Sequence, residues 1–199
     1  MPNAKKVMTA FSIMACWHSK HVSADFHQCV IYDSDDPNAK LIGIEYIASE
    51  KVDSHLIWFV IIRVDFQSQL FDSLPEDEKK YWHSHKYETK DTMPATDLAE
   101  QPAMLELQKT YGKTIHTWAI DIHPELPMGP PSLMMAYTGD GQMDSQMLNV
   151  RDKKYGMDTQ KKRELRKQYL PPYEKHRGAD AWEQSGKAVA FKAVEEDLN

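Results

Sequence analysis

A single α+β domain, with a mainly antiparallel sheet and several packed helices, is the fold class this sequence predicts. Three observations predict it. At 199 residues the chain can bury one good core, and nothing requires a second domain. Short β-rich runs are joined by turn clusters, the pattern of hairpins. Helical and β-rich segments also follow one another without the regular alternation that builds a parallel sheet.

The first β-rich run is Phe26 to Tyr32, and the second is Leu41 to Ile47. A turn cluster containing Asp33, Pro37 and Asn38 separates them, so the two are expected to pair as an antiparallel hairpin. Ser73 with Glu76 three residues later reads as a capping box opening a helix that ends near His83. Pro102 reads as a first-turn residue of a second helix, with Met104, Leu107 and Tyr111 on one face and Gly112 ending it. Thr114 to Ile122 alternates as a strand, and Leu133 to Tyr137 is another strand candidate. The basic stretch Arg151 to Lys167 holds eight Lys or Arg against Asp152, Asp158 and Glu164. It reads as two helical pieces broken at Gly156, with Thr159 as a cap and Pro171 and Pro172 beyond the end. Ala188 to Val194 is a last β-rich piece. Trp82 and Trp118 are expected to be core anchors.

Composition excludes several classes. A hydrophobic share of 41% and a charged share of 27% are ordinary for a globular protein. A net charge of −6 gives no general attraction to nucleic acid. Cys16 and Cys29 form no CxxC pair, so neither a disulfide framework nor a zinc ribbon is indicated. Val7 to Cys16 is too short and mixed for a good signal peptide. The longest apolar run, Leu56 to Ile62, has seven residues, whereas a membrane-spanning helix needs roughly 20. A cytosolic or membrane-peripheral protein is therefore expected.

Several phrases carry a family resemblance: 26–35 (FHQCVIYDSD), 41–47 (LIGIEYI), 78–88 (EKKYWHSHKYE), 110–114 (TYGKT), 116–118 (HTW), 126–130 (LPMGP) and 133–135 (LMM). In order and spacing the chain resembles the oil body-associated protein family, over most of 21–51 and 70–150. Before His21 the match fades; members of the family carry a longer N-terminal region with further His and Cys residues. The resemblance implies one domain over 21–194, interrupted at 52–69, behind a divergent segment 1–20. It also implies a non-enzymatic peripheral protein that associates with lipid droplets and influences their size or stability. No catalytic residue comes with it.

The residues themselves offer one constellation with chemistry. His83 and His85 form an H-x-H pair, which on a strand projects both rings to one side. Imidazole ligates zinc, copper or iron, and Glu45, His27 or His116 can add to the pair after folding. The metal candidates are thus His83, His85 and His116, and the alternative function is a small-ligand or metal-dependent enzyme using them. The plain alternative is that the two histidines end a helix and pack structurally. His18, His21, His27 and Cys29 make a looser second cluster. Cys29 sits in an apolar phrase, where a cysteine behaves as a small hydrophobe. Gly139 and Gly141 lack the lysine and helix start of a phosphate loop. The basic run is expected to be a solvated face, with contact to anionic lipid head groups as the alternative.

Residues 52–69 stand apart. In the family pattern, Lys51 runs almost directly into Leu70. Here 18 residues intervene, an in-frame insertion that begins with a valine codon and ends with a glutamine codon. Such codons can supply the standard intron boundaries, so a translated, unspliced intron is expected. An added strand covering the core is the alternative. The run Leu56 to Ile62 is uncharged, β-prone and aggregation-prone when left on an edge.

Overall fold

The computed structural model describes residues 20–21, 23, 25–34, 36–50, 70–87, 97–139, 141–142 and 144–198. Residues 52–69, and Val7 to Cys16, lie outside the described residues.

Strands β2 (Phe26–Tyr32) and β3 (Leu41–Ser49) form the expected hairpin, in register from Phe26 opposite Ala48 to Ile31 opposite Gly43. Asp33 closes its loop, because its carboxylate accepts the Lys40 amide (2.8 Å) while its own amide donates to the Lys40 carbonyl (3.1 Å). A two-residue strand β1 (Lys20–His21) borders β2. On the other side β3 pairs with β5 (Thr110–His116). The far edge of β5 is shared. Its first half pairs with β4 (His83–Ser84) and its second half with β6 (Ser132–Met134). Every pairing is antiparallel.

One face of this sheet carries the aromatic core. Ala48, Phe71, Trp82, Tyr111 and Ala179 are buried together, with Tyr46, Leu70, Leu74 and Tyr81 against them. The Phe71 ring stacks on Tyr111 at 3.9 Å and meets Trp82 edge-on at 6.1 Å. The C-terminal segment is fastened there by Asp180, whose buried carboxylate accepts the Ser84 amide (2.8 Å), the Ser84 hydroxyl (2.6 Å) and Lys175 Nζ (2.7 Å). Tyr111 and Tyr173 share a hydroxyl–hydroxyl bond of 2.7 Å, and Tyr173 donates to Glu50.

Local readings of the helices need correction. Helix α1 (Glu76–Lys79) starts after Pro75 without a side-chain cap, since the Ser73 hydroxyl donates back to the Leu70 carbonyl (2.7 Å). Helix α2 (Asp97–Leu107) begins well before Pro102, which is interior and exposed. It stops before Gly112, because Thr110 onward is claimed by pairing with β3. The strand expected to reach Ile122 ends at His116. The amides of Thr117 and Trp118 both turn onto the Ile42 carbonyl (2.9 and 3.3 Å), and a turn over Ala119 to His123 follows. Trp82 is buried, but Trp118 is only half-buried, its indole donating to the His123 carbonyl (2.7 Å).

Helices α3 (Ser145–Tyr155) and α4 (Thr159–Tyr169) break at Gly156, whose φ of 60° suits glycine. Asp158 caps α4 by accepting the Lys161 amide, while Thr159 donates its hydroxyl to Asp152. The expected solvated face of α4 holds only in part: Lys161 and Lys167 are exposed, Lys162 and Arg163 are half-buried, and Arg166 is fully buried. After the short helix α5 (Ala181–Ser185), the expected strand at Ala188 to Val194 is irregular chain. Among the described residues, no helix is long and apolar enough to cross a membrane.

Candidate functional site

The opposite face of the sheet is at least as deeply buried, and beside Ile31 and Ile47 it holds a polar cluster. Antiparallel partners place their side chains on one face. Glu45 lies between Cys29 on β2 and Thr114 on β5, and Gly112 lies between Ile47 and His83. Cys29, Glu45, Thr114, His83 and His85 are all 3% exposed or less. Burying a carboxylate is costly unless partners surround it.

The H-x-H spacing delivers those partners. Within β4 the side chains alternate, so Ser84 turns to Asp180 while His83 faces Glu45. The His85 amide extends the pairing by donating to the Thr110 carbonyl (3.3 Å), which brings the second imidazole to the same side. Both Nε2 atoms point at one oxygen, Glu45 Oε1, from 3.3 Å (His83) and 3.4 Å (His85). The rings are nearly perpendicular, with centroids 5.2 Å apart. Thr114 donates its hydroxyl to the same Oε1 at 2.9 Å.

Two orienting contacts define the protons. Thr110 donates its hydroxyl to the Leu107 carbonyl (2.7 Å), so toward His85 Nδ1, also 2.7 Å away, it is an acceptor. His85 therefore carries a proton on Nδ1. Glu45 Oε2 and His83 Nδ1, both buried, have no partner among the described residues. Burial by itself raises the Glu45 pKa, but the two imidazoles more than offset it and hold the carboxyl well below the usual carboxylate range.

The structure thus brings together His83, His85 and Glu45, the residues here that could hold a metal. It leaves His116 apart. That residue shares the face but lies one row along, opposite Gly43, with its Nε2 on Met134 Sδ (2.7 Å). Burial lowers the His116 pKa, favouring the neutral ring. His27 sits opposite Ile47, half-buried and outside the cluster. His18 lies outside the described residues. Thr110, Gly112 and Thr114 were not singled out from sequence for this site; only the β3–β5 register reveals them.

Fold and site together define an α+β protein with an antiparallel sheet and a buried carboxylate–imidazole cluster on one face. The chain belongs to the family described as "Protein of unknown function (DUF1264)", which it matches over residues 4–57 and 60–170. It is homologous to oil body-associated proteins. It is 41% identical to oil body-associated protein 1B of Arabidopsis thaliana over 150 residues, covering 73% of this chain and 55% of that protein. It is 35% identical to protein 2B of the same plant, covering 91% of this chain and 68% of the relative. Identity with protein 1A of Zea mays is 36%, covering 89% and 68% respectively. The chain therefore spans a little over half of protein 1B and about two thirds of the other two. No solved structure matches it.

Proposed function

We propose that this protein is a non-enzymatic, peripheral component of the lipid droplet surface that influences droplet size or stability. The observation that carries this is its homology, at 35–41% identity, to proteins named for their association with oil bodies. Since no described helix can span a bilayer, the chain would act from the surface. The loop after β5 supports such a contact. Ile122, Leu126 and Met128 are each about half exposed or more, and Lys40 braces the loop through the Pro124 carbonyl (2.6 Å). An apolar loop tip of this kind suits shallow contact with packed head groups. The test is flotation of the purified chain with phospholipid-coated triacylglycerol droplets. Binding is expected, and Leu126→Asp with Met128→Asp should weaken it at least severalfold. A chain that stays in the aqueous fraction, or a fluorescent fusion that remains diffuse in lipid-loaded cells, would end this reading.

A further inference from the structure

We infer that Glu45, His83 and His85 form a mononuclear site for a divalent transition metal of the zinc or iron(II) class, seated beside Gly112. The three donor atoms lie within 4.8 Å of one another in a buried setting. Their spacing suits a shared ion better than direct hydrogen bonds. A charge-assisted N–H···O bond closes to about 2.7–2.9 Å, whereas Nε2 of His83 and His85 stand 3.3 and 3.4 Å from Oε1. Ligands on a tetrahedron with bonds of about 2.1 Å are separated by roughly 3.4 Å.

Space for the ion is present. A Cβ built on Gly112 would fall 2.7 Å from each of the two Nε2 atoms and closer still to Glu45 Oε1. The missing side chain of Gly112 thus leaves open space against all three donors, which any larger residue would fill. Gly112 is not demanded by backbone conformation, since it lies within a regular strand. It is demanded by this space.

The proton inventory points the same way. The Nδ1 of His85 is engaged by Thr110, which leaves Nε2 as the ring atom directed at Oε1 of Glu45. A cation between them would take coordinate bonds from both. The bare Oε2 of Glu45 is a further donor, either as a bidentate arm or as the acceptor of an outer ligand. Both outer contacts that orient metal ligands elsewhere are in place, namely Thr110 on the His85 ring and Thr114 on the carboxylate. Two imidazoles with one carboxylate select zinc or iron(II) over calcium or magnesium, which take oxygen ligands.

The test uses the full chain without lipid, stripped by chelator and titrated with zinc(II) and with cobalt(II) as a spectroscopic stand-in. Stoichiometric uptake is expected, with a raised thermal midpoint and visible cobalt bands of a nitrogen–oxygen site. Gly112→Ala, checked for folding by circular dichroism, should lose roughly tenfold or more in affinity. His83→Ala combined with His85→Ala should abolish uptake. If either variant fails to fold, the cobalt spectrum and X-ray absorption of the wild-type chain still report whether imidazole is bound. A folded, stripped wild-type chain that takes up neither ion overturns the assignment. So does full uptake by the folded double variant, which would place the ion elsewhere.

Discussion

The two faces of strands β3 and β5 differ in kind although they share one backbone. On one, Ala48 and Tyr111 are covered by Phe71, Trp82 and Ala179, and the Tyr111 hydroxyl is paired with Tyr173. On the other, one residue along, Glu45 and Thr114 face His83 and His85, and two buried polar atoms have no partner among the described residues. The apolar face accounts for its own burial. The polar face does not, because hydrophobic residues of similar volume would be as stable there or more so. Stability and the proposed metal chemistry are thereby assigned to opposite sides of the same strands, and single substitutions should separate them.

The largest effect is expected on the apolar face. Phe71 is fully buried among Tyr111, Trp82 and His176. Phe71→Ala should cost about 3–5 kcal/mol in urea denaturation, with metal uptake unchanged in the folded fraction. A loss well under 1 kcal/mol would mean that the aromatic cluster is not the core.

A smaller effect is expected across the sheet. Thr114→Val keeps the shape of the side chain but removes the hydroxyl that donates to Glu45 Oε1. Stability should fall by about 1–3 kcal/mol, while zinc affinity falls by roughly tenfold or more. Equal damage to zinc uptake from Phe71→Ala and Thr114→Val would erase the distinction between the faces.

The sequence made the hairpin legible because its signal is local: two β-rich runs and a turn cluster. It also made the H-x-H pair legible, since alternation in any extended segment puts both rings on one side. Glu45 could be named only as one of several additional ligands, alongside His27 and His116. Choosing among them needs the register, which places Glu45 opposite Thr114 and moves His116 one row away. The same register explains Gly112. As a local signal it reads as a helix stop, and pairing with Ile47 and His83 makes it the gap in a strand instead. Ser73 offers a capping pattern that its hydroxyl does not use, since it donates back to the Leu70 carbonyl, and Pro102 lies inside a helix that begins at Asp97. The burial of Arg166 had no sequence signal at all, since it lies in a run of lysines and arginines of which Lys161 and Lys167 are exposed.

The smallest effect is expected from removing residues 52–69 altogether, a segment we propose is an insertion of unspliced origin. Its flanks are fastened to each other and to the fold. The Phe71 amide donates to the Ser49 carbonyl (3.4 Å), and the Glu50 amide donates to the Lys109 carbonyl (2.9 Å). The family match nevertheless includes most of the segment and is interrupted only between residues 57 and 60. After deletion only Glu50, Lys51 and Leu70 would connect Ser49 to Phe71. The existing Ser49–Phe71 bond would then close a single five-residue turn, a common way for a chain to reverse. Shortening the chain between two points that are already joined changes the closure entropy only logarithmically. The deletion variant should therefore match the full chain in stability to within about 1 kcal/mol, with unchanged metal uptake. It should also aggregate less, having lost the apolar run Leu56 to Ile62. Sequencing the transcript addresses origin separately: a shorter, spliced message is expected beside the one encoding this chain. Abundant message retaining these codons with no shorter form would refute the intron. A deletion variant that no longer folds would show that the segment is a working element covering the core.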